Sequence, residues 1–175
     1  MTSLTLLGDT SGSIVLDAPA VSGSTTITMP AATGTMMVSG NMPSFSAYTN
    51  GGQTLGTAET KIQFNNEDWD TNSCFDTSNY RFTPTVAGYY QITVSFSVGV
   101  FTGSTQPIIY KNGTPWMYGT YPNTSATAPN WTYLTGLVYC NGSTDYIEAY
   151  AYCTTTATSQ ANGFYKFQGI LVRTA

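Results

Sequence analysis

Hydrophobic and polar residues alternate with a period of two along much of this chain. Tyr90, Ile92, Val94, Phe96 and Val98 are interleaved with Gln91, Thr93, Ser95 and Ser97, which predicts a strand with one buried face. Gly88 ends the turn that feeds it. Further strands are expected over residues 45–48, 60–65, 80–83, 106–110, 115–118, 131–139, 145–153 and 164–173. Asn50-Gly51-Gly52, Asn112-Gly113 and Asn141-Gly142 supply turns between them. No helical periodicity occurs. Short strands at this frequency describe an all-β sandwich of about ten strands.

The opening of the chain follows a different pattern. Residues 1–42 contain no aromatic side chain, and their hydrophobic residues come in short alternating pieces: Leu4 and Leu6, Ile14 and Leu16, Ile27 and Met29. Turn clusters such as Asp9-Thr10-Ser11-Gly12-Ser13 and Ser22-Gly23-Ser24 lie between them. So few apolar side chains do not offset a backbone ordering cost of about 1–2 kcal/mol per residue. Residues 1–42 are therefore expected to form an extended, β-rich arm that gains order against a partner, and residues 43–175 to form the folded head. Further copies of the arm, or another protein, would supply the missing surface.

At 175 residues the chain holds one domain of ordinary core plus such an appendage. Only 8% of the residues are charged, five basic against nine acidic, and no two basic residues are adjacent. Nucleic-acid binding, which rests on several phosphate-neutralising cations, is not expected. No run of about 18 apolar residues is present, so membrane insertion is not expected either. The start lacks a basic leader, which points to synthesis and folding in a cytoplasm. Cys74, Cys140 and Cys153 are expected to be small buried residues in strands, without disulfide or redox chemistry.

The chain has no histidine, which removes the usual neutral-pH general base and the commonest metal ligand. Glu67, Asp68 and Asp70 read as part of a structural turn, with a calcium site as the alternative and carboxylate catalysis as a remote third. The start of an EF-hand loop is imitated at Asp68, but Ser73 and Asn79 stand where glycine and glutamate are required. No enzyme activity and no cofactor are expected.

Binding chemistry, by contrast, is abundant. Trp116, Tyr118, Tyr121, Asn123, Trp131, Tyr146, Tyr150 and Tyr152 bring flat rings beside amides and hydroxyls, the combination that suits a sugar's apolar face and hydroxyl rim. These are the candidate ligand residues. Tyr133 and Tyr139 are expected to be buried in the core or in a contact between copies. Along residues 145–153, Ile147, Ala149, Ala151 and Cys153 should face the core, leaving Tyr146, Glu148, Tyr150 and Tyr152 to look outward. The low-charge loop at 120–130 is a second candidate recognition surface.

Phe64, Asp70, Phe75, Phe82, Gly88 and Tyr90 stand at gaps that resemble the signature of the globular-head domain family of complement component one, subcomponent q. Ile109-Tyr110-Lys111-Asn112-Gly113 is similar to that family's hydrophobic-Lys-Asn-Gly turn, Asp145-Tyr146-Ile147 to its Asp-x-Val strand, and Phe167-Gln168-Gly169-Ile170-Leu171 to its closing strand. Ile92 and Val94 stand where the family usually has aromatics, and two extra residues separate Gly142 from Asp145. The resemblance implies a tumour-necrosis-factor-like jelly roll that assembles as a homotrimer.

The stretches Gly12 to Pro19 and Thr26 to Thr35 resemble linker units of tailed-bacteriophage fibre proteins. Together the two resemblances imply a virion protein, a short trimeric fibre or appendage. Leu4, Leu6, Ile14, Leu16, Ile27 and Met29 would attach it to another virion protein, and its head would meet a host-surface polysaccharide. A capsid decoration protein that stabilises the shell is the alternative. A cellular defence or adhesion module is a third class, disfavoured because no secretory leader is apparent.

Overall fold

The computed structural model describes residues 3–17, 19–21, 23–28, 31, 33–34, 36–121, 123–124 (backbone only), 129–160 and 165–175. The chain divides into two compact units, Met1–Gly34 and Thr35–Ala175. This division falls earlier than the break expected after residue 42. Met37 packs against the head's core, and the Asn72 Nδ2 donates to the Gly40 carbonyl at 3.1 Å, so this stretch belongs to the head.

The first unit contains an antiparallel hairpin of β1 (Leu4–Leu7) and β2 (Ser13–Leu16). Its turn is closed by the Gly8 N–H on the Gly12 carbonyl at 3.0 Å. Gly12 sits at φ 79°, a conformation that favours glycine. Leu4 pairs with Leu16 and Leu6 with Ile14, so these four side chains share one face. All of them are exposed. Ile27 is exposed and lies outside any strand, and Met29 lies outside the described residues.

The head begins with β3 (Ser44–Tyr48), β4 (Thr54–Leu55), β5 (Thr60–Lys61), β6 (Asn66–Asp70), β7 (Phe75–Asp76) and β8 (Arg81–Phe82). The long strands β9 (Gly88–Val100) and β10 (Gly103–Lys111) follow, then β11 (Thr114–Tyr118), β12 (Asn123–Thr124), β13 (Pro129–Cys140), β14 (Ile147–Cys153), β15 (Ala157–Thr158) and β16 (Lys166–Thr174). One sheet runs β13-β9-β16-β3-β6. The other runs β11-β10-β14-β8-β7, with β5 also on β14 and β12 on β10, while β4 and β15 pair separately. The one helical element among the described residues is a 3-10 turn at Ser39–Asn41.

Two local expectations change. Of residues 60–65 only Thr60–Lys61 forms a strand, because the Phe64 N–H turns back onto the Ile62 carbonyl at 3.1 Å so that both side chains enter the core. Residues 66–70, expected as a turn, form the edge strand β6 on β3. An edge strand needs no continuous apolar face, and this one is held by its polar groups. Asp68 accepts from the Ser46 hydroxyl at 2.7 Å and the Lys166 amine at 2.6 Å. Asp70 accepts from the Phe75 N–H at 2.7 Å. These carboxylates are committed to structure, and no cluster of three potential metal ligands occurs among the described residues.

Phe45, Phe75, Phe82, Tyr90 and Phe167 fill the space between the sheets, with Phe45 stacked on Phe82 at 4.4 Å between ring centres. All three cysteines are free and buried, Cys140 on β13 and Cys153 on β14, whereas Cys74 precedes β7 and lies outside a strand. Burial pushes all three thiols up, Cys140 to about 12, which leaves them protonated and unreactive.

The two sheets are also clamped at one end. Asn112 and Gly113 both take positive φ, as a two-residue hairpin turn requires. The Asn112 amide donates to Asp145 at 2.8 Å, and the Tyr146 N–H donates to the Asn112 side-chain oxygen at 2.9 Å. Lys111 on β10 reaches Asp145 at 3.0 Å and the Tyr139 carbonyl of β13 at 2.7 Å, so one lysine ties the two sheets. The Asn112 amide, with help from Lys111 and the Asn141 N–H, holds the Asp145 carboxyl below its ordinary range.

Two substitutions probe these features. A Cβ at Gly88 would strike the Arg173 carbonyl and the Leu171 side chain, so Gly88→Ala should lower stability by about 1–3 kcal/mol in urea titration. Asp145→Asn should cost about 1–2 kcal/mol at pH 7. Because the native pKa is depressed, ionised Asp145 contributes fully above the unfolded value of about 3.9. That contribution is lost as pH falls through the lower native value, so the stability gap between parent and variant should close toward pH 2–3.

Candidate functional site

The outer face of the β11-β10-β14 sheet carries most of the candidate ligand residues, and strand register arranges them in rows. Tyr118, Ile108, Tyr150 and Lys61 lie side by side across β11, β10, β14 and β5. Tyr110, Glu148 and Arg81 form the next row, and Gln106 and Tyr152 another. Ile108 is fully buried although it lies outside the core cluster between the sheets. Its neighbours close over it: Tyr110 stacks on Tyr150 at 3.8 Å. The Glu59 carboxylate accepts from the hydroxyls of both Tyr110 and Tyr118. Burial, and secondarily this carboxylate, push the Tyr110 phenol above its usual range.

Glu148 was expected to face solvent. It does point away from the main core, yet it is only 2% exposed. The Lys61 amine at 2.8 Å and two Arg81 nitrogens at 2.9 and 3.1 Å all converge on its Oε1. A buried carboxylate requires such partners. The Arg81 guanidinium in turn lies 3.7 Å above the Tyr146 ring. Tyr146 and Tyr150 are therefore half-buried parts of a packed polar and aromatic layer, and Tyr152 is half-buried with its ring stacked 6.0 Å from Tyr121.

Tyr118 and Tyr121 keep large exposed surfaces on this side, and Trp116, at the register shift of β11 with the Lys111 amine 5.7 Å from its ring, is exposed as well. Asn123 pairs through its backbone with Ser104, and its side chain lies outside the described residues, as does most of the loop at 122–128. Trp131 is exposed on the opposite sheet, with its ring edge-on to Tyr165 at 5.4 Å. The structure thus does not gather the predicted residues into one site.

Tyr133 and Tyr139 are 76% and 40% exposed in the single chain, which corrects the expectation of a core position. Strand parity is the reason. Asn130, Thr132, Leu134, Val138 and Cys140 take the inward positions of β13, so Trp131, Tyr133, Thr135, Leu137 and Tyr139 must point outward. Asn130 Nδ2 and Thr132 Oγ1 are buried with no hydrogen-bond partner among the described residues, which makes the interior under this end of β13 polar.

Sequence reasoning missed the pattern on the outer face of the β13-β9-β16 sheet. Leu137, Gln91 and Ile170 form one cross-strand row, and Tyr139 and Tyr89 the next, with their rings 5.5 Å apart and Val172 nearby on β16. This end is apolar and exposed. The adjoining rows, Thr135-Thr93-Gln168 and Tyr133-Ser95-Lys166, are largely polar. The signal lay in the outward positions of each strand, readable once the inward set is known. A cleft of about 280 Å³ also opens between the free edges of β11 and β13, lined by Tyr118, Gly119, Thr120, Tyr133, Leu134 and Thr135.

No protein-family model matches the chain, and no curated protein matches it in sequence. Solved structures do match. The globular domain of zebrafish complement 1qA superposes with a TM-score of 0.56 at 15% identity, covering 76% of this chain and 98% of that one. Murine APRIL at pH 5.0 gives 0.59 at 10% identity, covering 74% and 98%. The Eiger TNF of S. frugiperda gives 0.58 at 11% identity, covering 77% and 93%. At these identities the likeness concerns architecture alone, and it establishes the chain as an all-β protein with the jelly-roll fold of complement 1q and TNF-like domains.

Proposed function

We propose that this chain is a non-enzymatic virion structural protein, a short homotrimeric fibre or appendage whose N-terminal unit attaches to another virion protein and whose head meets a host-surface glycan. The observation that carries the reading is that both units leave contiguous apolar surface uncovered. In the first unit it is the face of Leu4, Leu6, Ile14 and Leu16. An isolated two-stranded hairpin is marginal in water, so that face calls for a partner. In the head it is the patch of Tyr89, Leu137, Tyr139, Ile170 and Val172. Exposed apolar patches bounded by polar rows are typical of contact surfaces.

The complement 1q and TNF-like folds of the solved neighbours support association of the heads. The apolar patch serves as the seam, while the polar rows and the opposite sheet remain for ligands. With 8% charged residues and a formal charge of −4, the surface suits neutral polar partners better than nucleic acid.

Sedimentation at micromolar concentration should give a trimer, since obligate interfaces bury about 2,000 Å² or more. Leu137→Asp places an uncompensated charge in the seam and should shift the protein to monomer, a penalty of about 3–5 kcal/mol. A monomeric parent would remove the assembly reading. Deleting residues 1–34 should leave a cooperatively folding trimeric head that no longer incorporates into particles. Imaging of the intact chain on purified virions then decides its place: density at a tail or appendage supports the fibre reading, and regular density over the shell supports capsid decoration instead.

A further inference from the structure

We propose that Asn50-Gly51 is a site of spontaneous covalent modification, where the Asn50 side-chain amide converts to aspartate and isoaspartate in the folded chain while the Asn112-Gly113 and Asn141-Gly142 pairs are protected. The chemistry needs no partner and is independent of the role proposed above.

An asparagine followed by glycine cyclises readily, because the glycine nitrogen has no neighbouring Cβ to shield it. The Gly51 nitrogen gives its proton to hydroxide and bonds to the Asn50 Cγ, the Cγ–Nδ2 bond breaks, and ammonia leaves. Water then opens the resulting succinimide at either of its two carbonyls, giving aspartate or isoaspartate. Nothing is oxidised or reduced. The step requires two freedoms: an asparagine side chain able to turn onto the next nitrogen, and a backbone able to rotate beneath it.

Four Asn-Gly pairs occur in the chain, and Asn162-Gly163 lies outside the described residues. The asparagines of the other three are all exposed, so exposure does not separate them. Hydrogen bonding does. The Asn112 amide is held at both ends, donating to Asp145 at 2.8 Å and accepting from the Tyr146 N–H at 2.9 Å, and its turn is fixed by positive φ at Asn112 and Gly113. The Asn141 Oδ1 accepts from the N–H groups of Ser143, Thr144 and Asp145, each at 3.0 Å, and its Nδ2 donates to the Thr144 hydroxyl at 2.8 Å. Gly142 lies so close to Val86 and Ala87 that a Cβ would strike their backbone.

Asn50 has neither restraint. Its backbone N–H donates to the Asn65 side chain at 3.1 Å, but its own side chain makes no hydrogen bond with any described residue. The Gly51 N–H meets the Thr49 hydroxyl at a long 3.4 Å, and the space around Gly51 is open. Asn50 follows the Tyr48 end of β3, which lies beside Lys166 of β16, whereas the apolar seam adjoins the Ser44 end, beside Ile170. Association through that seam leaves the pair accessible to water.

Either product is a carboxylate and adds one negative charge to the formal −4 of the chain. Isoaspartate also lengthens the backbone by one methylene ahead of Gly52, which already approaches the Ser159 carbonyl closely. Conversion therefore disturbs the pairing of Gln53 with Ser159, made by hydrogen bonds of 2.9 and 2.8 Å.

The test incubates the full chain in neutral and mildly alkaline buffer at physiological temperature. Samples are digested under weakly acidic conditions, and each Asn-Gly peptide is followed by mass spectrometry for a gain of about 1 Da. Asn50 should convert over days, faster at the higher pH, while Asn112 and Asn141 stay intact. In concentrated guanidinium chloride all three should convert at similar rates, because the protection belongs to the fold. Gly51→Ala, which the open space accommodates, should slow conversion about tenfold by adding the missing Cβ; circular dichroism checks that it folds like the parent. Conversion at Asn50 no faster than at Asn112 or Asn141 in the folded parent would overturn the site. Selectivity that persists in denaturant would overturn its structural cause, and an unchanged rate in folded Gly51→Ala would exclude attack by the Gly51 nitrogen.

Discussion

The ring layer between the two sheets is the constraint on which the head depends. Phe45 from β3 stacks on Phe75 and Phe82 from the opposite sheet and meets Phe167 edge-on at 4.9 Å. Phe82 also meets Tyr90 of β9 edge-on at 5.5 Å. Rings from both sheets interlock, so neither sheet slides without opening a void, and close-packed interiors resist voids strongly. Tyr90 brings a hydroxyl into this layer and satisfies it on the Val86 carbonyl at 2.6 Å. Gly169 leaves room for Phe45 and Ile92, where any larger residue would intrude.

Once this layer sets which residues point inward, strand parity dictates what every outer face carries, and the two faces diverge. On the β11-β10-β14 side the outward residues form a packed layer of their own, with Glu148 neutralised by Lys61 and Arg81 and with Glu59 joining two tyrosines. On the β13-β9-β16 side the outward residues find no such cover, and apolar rows at one end give way to polar rows. The cleft arises where the free edges of the two sheets approach. Function in this fold is accordingly assigned to faces and edges, since the interior is occupied by packing.

Much of the fold was legible in the chain itself. The period-two run from Tyr90 to Val98 is the interior strand β9, between β13 and β16, and the Asn112-Gly113 turn has the positive φ values that its residues predict. The spaced signature has a physical meaning residue by residue. Phe64, Phe75, Phe82 and Tyr90 are core, Gly88 sits where a Cβ would strike a carbonyl, and Asp70 caps the Phe75 N–H. What was not legible concerns partners distant in sequence. Glu148 looks like a surface residue until Lys61 and Arg81 arrive from other strands, and β6 looks like a turn until β3 offers it a ladder.

The sequence by itself determined the all-β class, the main strands, the inward residues of the runs 90–98 and 147–153 and the contrast between an aromatic-free opening and an aromatic head, because alternation, turn chemistry and composition are local properties. Only the tertiary structure decided which outward residues share a surface. Tyr118 and Tyr133 belong to different sheets and line one cleft at their free edges, Trp131 lies away from the tyrosines it was grouped with, and Tyr133 and Tyr139 point out of the core. Those outcomes depend on register and sheet order, which are set by packing between segments far apart in the chain and leave no local pattern to read.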